Sequence, residues 1–229
     1  MPALLGASSL HSGTNFNYGT VTINGAESLI SAPAEPGVDA CFANPGTSEV
    51  QLVAAHDKRP NIRAIFCLFE GVATGAADGY GRMADKPALN LLRLGLGFAK
   101  RHSQPAQRAG LPIFNMVGDH ATDHLKYDAP LTSNIKGMAT PVSHSCRVSD
   151  SSAGLAQTGL DAPADSLNHN GSISAFVVPA DHAWTDIDET RCELPETSLA
   201  TISDTTITEI AAQLQSASNS CLFLGRSSL

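Results

Sequence analysis

The sequence predicts an α/β fold: a parallel sheet with helices on both faces, followed by the opening of a second α/β unit. Three observations lead there. Apolar runs ("GVDACFANPG", "IRAIFCLF", "PALNLLRLG", "LPIFNMVG" and "ISAFVVPAD") recur along the chain, with stretches of helical character between several of them. Each run is apolar at nearly every position instead of alternating, as expected of strands covered on both sides. Hydrophobic residues make up 42% of the 229 but aromatics only 5%, so the core must be built of small side chains packed closely.

The elements follow in order. Residues 1–20 are rich in Ser, Gly, Asn and Thr without periodicity and read as a loose leader. The main domain is expected over residues 21–186, with order beginning at "NGAESLI". "GVDACFANPG" is a strand ending in a turn. "TSEVQLVAAHD" is a helix, with Thr47 or Ser48 as its cap and Glu49 favourably placed in the first turn. "IRAIFCLF" is the next strand and "GVATGAADGYGRMAD" the next helix; three further buried strands follow. From residue 183 the composition becomes acidic and rich in Thr and Pro, which marks a linker over 187–204. Residues 205–229 hold one helix ("TTITEIAAQLQSA") and one strand ("SCLFLG"), too little to bury a core of their own. The expectation is a chain cut off as a second α/β unit begins.

Composition excludes several function classes. A net charge of −8 without a clustered basic surface argues against a nucleic-acid partner. The basic stretch "AKRHSQPAQR" reads as a solvated helix face. No run reaches the length of a membrane span, so no membrane partner is expected. Cys41, Cys67, Cys146, Cys192 and Cys221 are widely spaced, odd in number and free of C-x-x-C pairs. That pattern fits reduced thiols in a cytoplasmic protein, with Cys41 and Cys67 buried inside strands.

Three positions carry candidate chemistry, each at a strand end, where open parallel sheets bind ligands. The first is the turn Asn44-Pro45-Gly46, whose spelling fits both a ligand-lining loop and an ordinary strand-to-helix turn. The second is Glu70. A carboxylate at a helix start gains roughly 0.3–1 kcal/mol from the helix dipole, which explains an acid there but not its surroundings. Ala73, Ala76, Ala77 and Tyr80 give the helix a face of mostly small side chains. Gly75, Gly79 and Gly81 each cost about 1 kcal/mol relative to Ala. Such costs are accepted where another backbone or a flat ligand must come close. Phe66, Leu68 and Phe69 flank the acid and are expected to desolvate it. The third position is "VGDHATDH", where His120 is balanced between a site residue and a surface one, while His124 reads as surface. No third ligand stands at metal-site spacing, so no metal site is expected within the chain. "GLGFAK" lacks the spacing of a phosphate loop, and G-x-S-x-G is absent.

"NGAESLI…GVDACFANPGTSEVQLVAAHD" followed by "LFEGVATGAADGYGRMADKPALNLL" closely resembles the N-terminal, pyrimidine-binding domain of thiamine diphosphate-dependent enzymes. Within that family the similarity is to the acetolactate synthase-like and benzoylformate decarboxylase-like group, and it covers roughly residues 23 to 186. The tail resembles the start of that family's central domain. The resemblance implies thiamine diphosphate as cofactor and a 2-oxo acid such as pyruvate as substrate. It implies that Glu70 hydrogen-bonds a ring nitrogen of the aminopyrimidine, favouring the imino form that deprotonates the thiazolium carbon; the thiazolium then serves as electron sink. Asn44, Pro45, Gly46 and Gly95 match cofactor-lining positions. Thr47, and with it His120, is placed near the substrate.

The chain departs from that pattern in three places. Leu96 and Lys100 stand where the family's G-P-G-x-x-N stretch has its Pro and Asn. Pro33 and Pro36 fall where a helix usually runs into the first strand, and an interior proline costs a helix about 3 kcal/mol. The Gly-Asp-Gly motif that helps hold the metal and diphosphate in such enzymes does not occur in the sequence. Magnesium is therefore expected only from a domain or partner chain outside it. The functional expectation is the cofactor-binding domain of a 2-oxo acid decarboxylase or acetolactate synthase-like enzyme, a fragment inactive alone. The alternatives are a non-catalytic dimerising module and the pyrimidine-domain subunit of a split enzyme. A homodimer, or a partner carrying a diphosphate-binding domain, is implied.

Overall fold

A twisted sheet of parallel strands positions everything that matters for function. The computed structural model describes residues 22–32, 37–58, 62–99, 104–167, 171–188, 192, 195 and 201–221. In chain order the elements are β1 (Thr22–Asn24), α1 (Gly25–Ser31), β2 (Ala40–Asn44), α2 (Val50–Lys58), β3 (Arg63–Phe66), α3 (Glu70–Ala84), β4 (Ala88–Leu92), α4 (Leu94–Ala99) and α5 (Gln104–Ala109). They continue with β5 (Ile113–Asp119), α6 (Ile135–Ala139), β6 (Ser145–Val148), α7 (Leu155–Leu167), β7 (Ile173–Pro179), α8 (Ala180–Trp184), β8 (Asp186–Asp188) and α9 (Asp204–Ser216).

The main sheet runs in the order β3-β2-β4-β5-β7-β6, every pairing parallel. The short strands β1 and β8 pair antiparallel, Thr22 opposite Asp188, which brings residues far apart in sequence together. The predicted α/β class is therefore observed. Side chains alternate between the faces of each strand and feed two cores. Cys41, Ala43, Leu89, Leu91, Phe114 and Phe176 pack with α1, α2 and α7 residues such as Leu29, Leu52 and Leu155. Phe42, Leu92, Ile113, Val117 and Val177 pack on the other face with Ala73 and Ala77 of α3, Phe98 of α4 and Ile135 of α6. Cys41 inside β2 is buried as expected; Cys67 is buried too, but one residue past the end of β3, and burial pushes both thiols up.

One polar pair crosses this interior. Asn90 and Asn115 are opposite each other on β4 and β5, both fully buried, and Asn90 Nδ2 donates to Asn115 Oδ1 at 2.9 Å. Elsewhere the structure departs from the sequence expectation. Thr47 and Ser48 do not cap α2; they lie inside a single 3-10 turn, Thr47–Glu49, that precedes it, and Gly46 is the capping position. Glu49 supplies the cap in reverse, its Oε2 accepting from Gly46 N at 2.7 Å. The edge strand β6 and the helix α7 have no counterpart in the strands and helices read from sequence. Arg147 of β6 holds Asp165 of α7 through Nε and Nη2 at 2.8 and 3.0 Å. α9 forms where a helix was expected, with Ser203 capping it. The leader, Pro33, Pro36, Lys100 and most of "SCLFLG" lie outside the described residues. Among the described residues no helix is long and apolar enough to cross a membrane.

Candidate functional site

The register of the sheet lines up the carboxyl ends of its central strands. Asn44 is opposite Leu92, Leu92 opposite Val117, and Gly118 opposite Val178. The segments that follow these ends therefore meet along one edge, the edge on which open α/β sheets build their sites.

Glu70 is the first residue of α3, only 2% exposed, although an acid is rarely buried without a partner. Its backbone carbonyl accepts from Thr74 Oγ1 at 3.0 Å, but its carboxyl Oε1 has no hydrogen-bond partner among the described residues. A buried acceptor left without a donor costs on the order of 1–3 kcal/mol, so this oxygen is poised for a donor from outside. The cause of burial differs from the one expected. Phe66 at the end of the edge strand β3, and Leu68 and Phe69 in the connection to α3, turn outward, at 67%, 87% and 43% exposed. Gly97 of α4 closes on the carboxyl instead; a Cβ there would stand 2.8 Å from Glu70 Oε1. The face of α3 is divided similarly. Ala73 and Ala77 pack onto the sheet, whereas Gly75 and Gly79 are exposed, with nothing within 4 Å of a Cβ at either.

Asn44, Pro45 and Gly46 form the half-buried turn after β2, with Thr47 exposed at its tip. Gly46 is pressed by the stem of Arg93, whose Cδ would be 2.2 Å from a Cβ. Gly95 is buried, and the space beside it is taken by Ser133 and Met138. Leu94, between them, takes a left-handed φ of 44°, a conformation that costs a leucine energy and recurs at functional sites.

Thr47 and His120 come together as two walls of an open cavity of about 450 Å³. Gln51 lies beside Thr47, His124 beside His120, and Trp184 of α8 completes the lining. Glu70 is not among the lining residues, so the predicted residues fall into two neighbouring groups along the edge. The His120 wall is built from within: His120 and His124 rings lie 5.6 Å apart, and the Tyr127 ring 5.8 Å from His124. Asp119 receives His120 N at 2.8 Å, while burial pushes its carboxyl above the usual range. Thr122 N and Oγ1 donate to Asp181, fastening this loop to α8.

Glu49, Arg93 and Trp184 were not singled out as site residues from the sequence. Glu49 is fully buried, and burial pushes its carboxyl above the ordinary value, opposed by the N–H groups of Gly46 and Leu94 and by the Arg93 charge. The Gly46–Glu49 spacing was a usable signal, since an acid three residues after a turn position is how helix starts are boxed.

Residues 23–141 match the family described as "Thiamine pyrophosphate enzyme, N-terminal TPP binding domain". The chain is 43% identical over 207 residues to the Mycobacterium tuberculosis (strain ATCC 25618 / H37Rv) protein named "Putative acetolactate synthase large subunit IlvX", covering 89% of this chain and 39% of that one. Its fold is similar to that of the Rhodococcus jostii RHA1 thiamine diphosphate-dependent 4-hydroxybenzoylformate decarboxylase, with a TM-score of 0.74 at 17% identity, covering 86% of this chain and 38% of the other. The chain thus spans about two fifths of the length of either relative. With the parallel sheet, the strand-end turn and the buried glutamate in place, the match over residues 23–141 makes the chain a member of the thiamine pyrophosphate enzyme family, carrying its N-terminal TPP binding domain.

Proposed function

We propose that this domain binds the aminopyrimidine half of thiamine diphosphate at Glu70. In the complete enzyme it would take part in decarboxylation of a 2-oxo acid or in acetolactate synthase-like carboligation. The observation that carries the reading is the buried, unpartnered Oε1 of Glu70. An acid in that state gains by meeting a ring nitrogen, and it can hold or return a proton at that atom. Asn44, Pro45 and Gly46 would line the ring's approach. Gly97 lets α4 close behind the carboxyl, Gly95 would join the cofactor lining, and Thr47 and His120 would face a 2-oxo acid such as pyruvate. When bound, the cofactor supplies the electron sink that decarboxylation needs. The diphosphate and its magnesium would be held from outside these 229 residues, by another domain or a partner chain. Five widely spaced cysteines without a C-x-x-C pair fit a reducing compartment such as the cytoplasm.

A second reading has its own support. Phe66, Leu68, Phe69, Val72 and Met83 are exposed around β3 and α3, and the exposed positions between the last two are Gly75, Gly79 and Arg82. This low apolar surface suits a second copy or a diphosphate-binding partner, and by itself would serve a non-catalytic dimerising module.

The test is a titration of the chain with thiamine diphosphate and magnesium, followed by amide NMR. The half-site reading expects binding in roughly the millimolar range, with shifts at Gly71–Thr74 and Gly97, and loss of those shifts in Glu70→Gln. Submillimolar binding by the chain alone, or shifts unaffected by Glu70→Gln, would overturn it. Light scattering addresses the dimerising module, which requires self-association that cofactor does not change.

A further inference from the structure

The end of β2 and the end of β5 are not neighbours; β4 lies between them. One side chain nevertheless spans the gap. Glu49 leaves the 3-10 turn after β2 and holds Gly46 N through Oε2 at 2.7 Å. It then runs so close to β5 that a Cβ on Gly118 would lie 1.8 Å from its Oε1 and 2.6 Å from its Cδ. On the way it passes the β4 end, where the Leu94 N–H and the Arg93 side chain face its carboxyl. Oε1 itself has no hydrogen-bond partner among the described residues. A helix cap on an exposed turn needs none of this. It does not require full burial, nor a glycine two strands away.

What Glu49 connects is specific. Gly46 is followed directly by Thr47, and Gly118 stands two residues before His120. Thr47 and His120 both line the cavity, one wall coming from the turn after β2 and the other from the loop after β5. We propose that Glu49 is a positioning residue that sets the separation of these two walls, and so the fit of the 2-oxo acid between them. The proposal rests on the reading of this cavity as the substrate side of the site. It deepens that reading by assigning the fit to a residue that does not itself line the cavity.

The test compares Glu49→Ala, Glu49→Asp and Glu49→Gln in the full chain by amide NMR without ligand, then with pyruvate as probe. In Glu49→Ala, and in Glu49→Asp, which is one methylene too short to reach Gly118, signals on both walls should move: Gly46–Ser48 and Gly118–Ala121. Glu49→Gln keeps length and the acceptor for Gly46 N, and should restore both sets, a rescue that a generic loss of stability would not show. Should Glu49→Ala fail to fold, Glu49→Asp carries the same comparison. Pyruvate should bind about ten-fold more weakly to Glu49→Asp than to the wild type or Glu49→Gln, a loss of about 1.4 kcal/mol. Shifts confined to Gly46–Ser48 would reduce Glu49 to a helix cap and overturn the proposal. If pyruvate moves neither wall in the wild type, the substrate reading fails, while the ligand-free spectra still decide the role of Glu49.

Discussion

Replacing Gly75 and Gly79 together with alanine asks whether the glycines of α3 serve this domain or something beyond it. Both sit inside a 15-residue helix, where glycine costs about 1 kcal/mol relative to alanine. Beyond the helix's own backbone, a Cβ at neither position would meet a heavy atom of the described residues within 4 Å, so the added methyls bring no clash and little burial. The two positions are one turn apart on the same face of α3, and two methyls there add little mutual contact, so their effects should sum to about 2 kcal/mol. For a domain of this size each kcal/mol moves Tm by about 2–4 °C, giving a rise of about 4–8 °C. Circular dichroism melting of dilute chain is the assay, repeated at a tenfold higher concentration because self-association makes Tm concentration-dependent. Gly97→Ala is the opposing control: its methyl would press on the Glu70 carboxyl at 2.8 Å, and overpacking of that kind costs about 1–3 kcal/mol. A fall in Tm for Gly75→Ala/Gly79→Ala in dilute solution would refute the argument, because it would show these positions already packed by the chain itself. If another surface docks on α3, the double variant should also weaken that association while stabilising the free domain.

Glu70→Gln should leave stability within about 1 kcal/mol of wild type by urea denaturation, since it exchanges one buried group lacking a partner for another of the same shape. In the sheet interior, Asn90→Ala strands Asn115 and should cost about 1–3 kcal/mol or more, whereas Asn90→Leu/Asn115→Leu should be much nearer neutral; equal losses would contradict the pairing. Burial, the largest single influence, raises the Asp165 carboxyl, but hydrogen bonds from Arg147 and Ser145 together with the Arg147 and His144 charges leave it below the ordinary 3.8. Its stabilising effect is therefore present above about pH 4 and lost as pH falls through the lower folded value. Urea midpoints should accordingly fall more between pH 6 and pH 3 for wild type than for Asp165→Asn, and parallel curves would remove this ion pair from the acid response.

How far these features were legible in the sequence depended on how local their causes were. β2, β4, β5 and β7 stood out because strands buried on both faces must be apolar at almost every position, and here they are. β6 did not, since an edge strand of Ser145, Cys146, Arg147 and Val148 with partly exposed side chains carries no such signal. α7 was hidden by Pro163 inside the helix and by Asp161 and Asp165, whose place becomes clear only once Arg147 is brought alongside. Within the site, Glu70 could be singled out because its neighbours in sequence are odd, yet its burial was assigned to the wrong groups. Phe66, Leu68 and Phe69 lie close to it in sequence but face solvent at the end of β3 and the start of α3, and the group that does cover the acid, Gly97, lies 27 residues away.

Glu49 makes the same point more sharply. Read locally, it is an acid in a first helical turn, a surface effect of at most about 1 kcal/mol. In the folded chain it is completely buried across three strand ends, and the glycines at 46 and 118 keep room for Arg93 and for Glu49. Two carboxylates thus sit under one sheet edge with one oxygen each left without a donor among the described residues, Glu70 against α4 and Glu49 against β5. Burial of both carries a cost that folding alone would remove by substitution. A difference between them follows from their seats. Glu70 heads a helix beside an exposed apolar surface, so its partner can arrive from outside the domain. Glu49 is enclosed by its own chain, so it acts on the site through the turns it holds apart. The edge therefore separates into a residue that meets a ligand and a residue that sets the geometry around it, and Glu70→Gln and Glu49→Asp should disturb different sets of amide signals.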